Sequence, residues 1–173
     1  VVTNIETDKG LTVDATKFGG TIDIATVSAS GTSTISLAGG DASAGYTNVN
    51  GAFTLDASTS TTGTVTLTSL SAAGNTTVNM GGGSGAVAVG SAQVGGAFSV
   101  AAASFTGTTT ITTVSAGAVS VTLSGKDQGA FSAGVVASTA SFTLTQAQAG
   151  SGSITFNTIS ASGAVTIGLG TGT

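Results

Sequence analysis

GTVTLTSLSAAG, residues 63–74, is the stretch on which the fold turns. Inside it Val65 and Leu67 alternate with Thr64, Thr66 and Thr68, a period of two in residues that favour strands. Close variants of the phrase return as GTIDIATVSASG at 20–31, GTTTITTVSAGA at 107–118 and GSITFNTISASG at 152–163. Their leading glycines, Gly20, Gly63, Gly107 and Gly152, are 43, 44 and 45 residues apart. A second phrase interleaves with the first: LTVDAT from Leu11, FTLDAS from Phe53, FSVAAA from Phe98 and FTLTQA from Phe142. Self-similarity at a fixed period marks a repeat architecture.

The period subdivides. Strand starts fall at Gly10, Gly20, Gly31, Asp41, Gly51, Gly63, Gly74, Gly85, Gly96, Gly107, Gly117, Gly129, Ala140, Gly152 and Gly163, about eleven residues apart. Thirteen of these fifteen positions are glycine, which supplies positive φ or close backbone approach at a corner. No stretch keeps a 3.6-residue period, and glycine at this spacing would break a helix. The chain therefore reads as all-β.

Units 22 residues apart keep equivalent apolar residues: Val65 and Leu67, then Val87 and Val89, Ile111, Phe131, and Ile154 with Phe156. Stacking of like on like predicts a β-solenoid (a parallel β-helix) with turns of about 22 residues, each built from two eleven-residue units. The alternative is an antiparallel β-sandwich, which Asn50-Gly51, a hairpin dipeptide, favours. Residues 1–9 read as an N-terminal cap or donated strand, and 10–173 as a single β-repeat domain. The chain opens at Val1 without methionine, basic region or apolar signal core, the look of a processed protein or an excerpt.

Composition excludes much. There is no Cys, His, Pro, Trp or Arg, and only three lysines stand against seven acids. A net charge of −4 disfavours nucleic acid. No apolar run reaches the roughly 18–20 residues of a membrane-spanning helix, and eight scattered aromatics do not form the girdles of a transmembrane barrel. Without His, Cys or Arg most catalytic constellations are absent, so the chain reads as no enzyme.

What remains is carboxylate and threonine chemistry. Asp14 and Asp56 match in LTVDAT and FTLDAS, but Ser36 stacks between them, about 9.6 Å of separation. Their column continues through Asn79, Ala101, Thr122, Thr145 and Gly168, a solvated polar row rather than an acid–base pair. GGDASAG at 39–45 and SGKDQGAF at 124–131 hold one aspartate each, which makes Asp41 and Asp127 the candidate metal ligands, for calcium, with no other cofactor expected. The Thr-x-Thr runs at 64–66 and 108–110 suggest an ice-binding face, yet Ala86, Ala88, Ala130 and Ser132 interrupt it at alternate turns.

The phrases GTVTLTSLSAAG and SGAVAVGSAQVGGAFSV resemble the Gly/Thr/Ser/Ala-rich repeat regions of bacterial S-layer proteins secreted by type I systems, and of giant extracellular adhesins. The resemblance covers roughly residues 10–173. It implies an extracellular or cell-surface location in a bacterium, a lattice or fibre role, and frequently calcium, although the aspartates of calcium-binding β-rolls are missing here. The expected function is that of a structural protein, the repeating unit of a fibre, sheath or surface layer that assembles by strand stacking. The expected partners are identical subunits or further chain of the same kind. An adhesin stalk, or a module binding polysaccharide or ice, is the alternative.

Overall fold

The computed structural model describes residues 1–37, 41–58, 63–81, 84–102, 106–123, 129–147 and 152–170. Asp127 lies outside them. The period-two stretches form strands and, among the described residues, there is no helix. In chain order the strands are β1 (Val2–Thr7), β2 (Thr12–Ala15), β3 (Ile22–Ala29), β4 (Ser33–Leu37), β5 (Ala42–Val49), β6 (Phe53–Ala57) and β7 (Thr64–Ala72). They continue as β8 (Thr76–Met80), β9 (Ala86–Ala102), β10 (Thr108–Leu123), β11 (Phe131–Ser138), β12 (Phe142–Gln146), β13 (Ile154–Ala161) and β14 (Val165–Gly168).

Every pairing between them is parallel, and each joins residues one turn apart: Val65 to Val87, Phe53 to Thr76, Val114 to Val136. The protein is a β-solenoid of about seven turns. The antiparallel sandwich is excluded. Asn50-Gly51 makes no hairpin; it turns the chain between β5 and β6, and Asn50 N–H donates 2.9 Å to the Ala29 carbonyl of the preceding turn. Residues before Gly10 join the coil, since Ile5 of β1 pairs with Val27 and Thr7 with Ala29.

Each turn carries three ladders rather than two. In β7 the inward residues are Val65 and Leu67, then Leu70 and Ala72, so Thr68 and Ser69 both face outward in succession. That break in alternation bends the strand. The ladder skips Thr68, as it skips Gly45, Gly90, Thr112 and Gly134 in neighbouring turns. The third ladder comprises β2, β4, β6, β8, the last residues of β9 and β10, β12 and β14. At the corner between second and third ladders hydrogen bonding continues, with Gly74 N–H donating to Gly51 O at 2.9 Å and Ala140 N–H to Gly117 O at 2.7 Å. The corner glycines serve close approach: a Cβ at Gly51 would lie 2.7 Å from the Gly31 carbonyl carbon, and one at Gly74 2.8 Å from Ala52 N.

Why a 22-residue turn should carry a 44-residue sequence period follows from the core. The column Ser33, Phe53, Thr76, Phe98, Val119, Phe142 alternates small with large. The column Ala57, Met80, Ala102, Leu123 alternates in the opposite phase. Two of the turns with phenylalanine at one end of the third side thus have alanine at the other (Phe53 with Ala57, Phe98 with Ala102), and the turn between has Thr76 with Met80; the Phe142 turn departs from this, ending at the half-buried Gln146. Turns lie about 4.8 Å apart, a phenylalanine takes more than one turn's share of the space at this end of the core, and close packing requires the large side chain to fill space that its neighbours leave. The second ladder repeats the device with Ala29, Val49, Ala72, Val94 and Ala116. So does the first corner, where Ala25, Thr68 and Thr112 alternate with Gly45, Gly90 and Gly134. A Cβ at Gly45 would sit 2.6 Å from the Ala25 carbonyl oxygen.

Thr76 and Thr47 are buried with hydroxyls that have no hydrogen-bond partner. Thr76→Val should raise stability by about 1 kcal/mol, since it removes an unsatisfied polar atom at nearly constant shape. Thr76→Phe, which sets a third ring between Phe53 and Phe98, should cost roughly 1–3 kcal/mol from overpacking. Denaturant melts of the two variants beside the parent chain measure both, and equal signs would refute the alternation.

Candidate functional site

Functional chemistry in a solenoid rests on the outward residues, which the ladders set into rows about 4.8 Å apart. One row is Asp14, Ser36, Asp56, Asn79, Ala101, Thr122, Thr145, Gly168, as the sequence implies. Both of its acids are engaged locally. Asp14 Oδ1 accepts from Thr16 Oγ1 at 2.6 Å and Thr16 N–H at 3.0 Å. Asp56 Oδ1 accepts from Ser58 N–H at 3.1 Å. Each carboxylate closes a turn at the end of a third-side strand, the Asx arrangement. The Thr16 hydroxyl, then its N–H, and more weakly Lys17, hold the Asp14 carboxyl below the usual carboxylate range, against a small opposing cost of burial.

Asp41 occupies one of the two strand starts that lack glycine, and its geometry shows why. Its carbonyl accepts from Ile22 N–H of the preceding turn at 2.8 Å, while its Oδ1 accepts from Thr64 N–H of the following turn at 2.7 Å. One residue thereby ties three successive turns at the start of the first ladder. Asp23 accepts from Ser43 Oγ at 2.6 Å, again across one turn. Among the described residues no three or more His, Cys, Asp or Glu side chains come together in a way that could hold a metal.

The threonine rows pair as expected, Thr64 with Ala86 and then Thr108, Thr66 with Ala88 and then Thr110. Thr109, however, points inward, pairs with Val87 and Phe131, and its hydroxyl lies 3.8 Å from Met80 Sδ. Only two of three consecutive threonines therefore reach the surface, and alanine interrupts both rows.

A site not evident from sequence is a groove of about 500 Å³ running along the coil where the second side meets its corner. Asn48, Ser71, Gln93 and Ser115, stacked in one outward row, line it with Asn50 and the backbone of Gly95. Every side chain in it is uncharged, and Asn and Gln each offer a donor and an acceptor. The signal was present in the sequence as polar residues 22 or 23 apart, but it becomes a groove only once the small residues at the neighbouring corner, Ala73 and Gly95, are placed beside it.

The two ends of the coil complete the inventory. At one end Val165, Ile167 and Leu169 occupy inward-type positions yet are 51%, 50% and 62% exposed. Beside them Phe156 packs edge-on against Phe142 (centroids 5.3 Å apart) and tilted against Phe131 (5.6 Å). Among the described residues no helix is long and apolar enough to cross a membrane. No protein-family model matches the chain, and neither curated proteins nor solved structures give a match.

Asp41→Ala should lower stability by about 0.5–1 kcal/mol through loss of the Thr64 N–H acceptor. Chelation of divalent ions should leave the melting temperature of the parent chain unchanged. A large chelator-induced fall would instead assign Asp41 a metal.

Proposed function

We propose that this chain is a structural protein, the repeating unit of an extracellular fibre, sheath or surface layer of a bacterial cell, and not an enzyme. One observation carries the reading: every pairing among the described strands is parallel and keeps one register from turn to turn, so each turn offers the next a matching ladder and a matching core, a backbone built for length and not for a catalytic cleft. The surface supports the same reading. Its carboxylates at Asp14, Asp23, Asp41 and Asp56 are spent on holding turns together, and the chain contains no histidine, cysteine or arginine to join them in catalysis.

The groove over Asn48, Ser71 and Gln93 favours a second reading, a surface stalk that binds a neutral polysaccharide. Paired donors and acceptors without charge suit hydroxyl-rich ligands.

Sedimentation across a concentration series, with electron micrographs of the same samples, tests the first reading. The expected result is long unbranched polymers above a threshold concentration. A chain that stays monomeric throughout, while Asn48→Ala and Gln93→Ala weaken its retention on immobilised neutral glycan, would favour the stalk.

A further inference from the structure

We propose that the second side of the coil binds a straight, neutral glycan of the cellulose or mannan type, laid along the coil axis at about one ring per turn. This ligand and its pose rest on the second reading above and name its partner. The row Asn48, Ser71, Gln93 and Ser115 occupies four successive turns, each of them paired on both sides within this chain. At the ladder spacing it follows the coil axis for roughly 14 Å. Asn48, Gln93 and Ser115 are exposed, as is Asn50 at the corner beside them. The corner itself is low: it is built from Ala73 and Gly95, and a Cβ at Gly95 would lie 2.4 Å from the Ala73 carbonyl carbon's oxygen.

A second observation lies on the same face. Beyond the first and last turns, the large apolar side chains exposed among the described residues are Tyr46 (47%) and Val135 (43%). Both stand in one column, joined through Ser69, Ser91 and Thr113, that runs beside the amide row. Tyr46 precedes Asn48 by two residues in β5, so ring and amide share a face about 6.6 Å apart. An apolar strip beside a strip of uncharged donors and acceptors suits a sugar chain lying flat. The C–H face of a ring covers Tyr46 while its hydroxyl edge reaches the amides.

Spacing and charge narrow the class. A pyranose ring in an extended glycan is about as long as the ladder spacing of about 4.8 Å. In a ribbon of the cellulose type successive rings are flipped, so the same edge returns at every second ring. The long amides Asn48 and Gln93 likewise return at every second turn, with the short Ser71 and Ser115 following each of them. Glucans with α links curl, and would leave the row after a ring or two. No residue of the second ladder from Tyr46 onward is charged, and the acid of the same row, Glu6, stands two turns before Asn48. The net charge of −4 repels polyanions at longer range, and a cationic polymer finds no counter-charge in the groove.

Calorimetric titration of the parent chain with cello- and manno-oligosaccharides of two to six rings, and with the matching malto-oligosaccharides, tests this. Affinity for one of the straight series should climb with each added ring to about four and then level off. The malto series should bind at least tenfold more weakly. Tyr46→Ala and Asn48→Ala should each weaken the four-ring ligand at least fivefold, while Thr145→Ala, on the third side, should leave it unchanged. The length series needs no variant, so it stands even if a substitution perturbs folding. Equal affinity for straight and curled chains, or no gain beyond a single ring, would overturn the axial pose while leaving the neutral-glycan reading intact. Absence of binding to every neutral oligosaccharide and to immobilised neutral glycan would overturn both.

Discussion

The separation of successive turns governs the molecule. Backbone N–H and C=O groups in parallel ladders hold neighbouring strands about 4.8 Å apart, and the hydrogen bonding carries on through the glycine corner, where Gly96 N–H reaches Gly74 O at 3.2 Å. Once that distance is set, side chains one turn apart have no freedom to avoid one another. Their sizes must suit, and their charges must either be absent or be answered. The composition follows from this constraint. Small residues fill the corners, and Asp14, Asp23, Asp41 and Asp56 are placed where an N–H or hydroxyl of the same or adjacent turn meets them.

The two-turn alternation is the core's solution to the same constraint. A phenylalanine occupies more than the share of one turn, so Phe53, Phe98 and Phe142 are set at every second turn with Thr76 and Val119 between. Met80 and Leu123 then fill the volume at the opposite end of those intervening turns. The structure thereby joins two periods that look independent in sequence: 22 residues for the hydrogen bonds and 44 for the packing.

The ladders were legible in the sequence because stacking repeats a residue's environment. The row from Asp14 through Ser36, Asp56 and Asn79 to Gly168 is read correctly from spacing alone. Four things were not legible. The bend falls at Thr68 and Thr112 in some turns and at Gly45, Gly90 and Gly134 in those between, so no single residue type marks it. Thr109 looks like its exposed neighbours Thr108 and Thr110, and only its place opposite Val87 and Phe131 shows that it is buried. Ile111, likewise, pairs with Ala133 and not with Phe131, an offset of two that period-two patterning cannot resolve. The groove escaped for a related reason, since it depends on how two adjoining sides meet rather than on any one motif.

The paired kinds of turn bear on how such a coil can change its length over generations. Duplicating or deleting a single turn would bring two turns of the same kind face to face, ring against ring on one side and alanine against alanine on the other. Copying or excising two together keeps large residues facing small ones in the stretch from Phe53 to Leu123. The heritable module is therefore a doublet, even though the backbone repeats as a singlet.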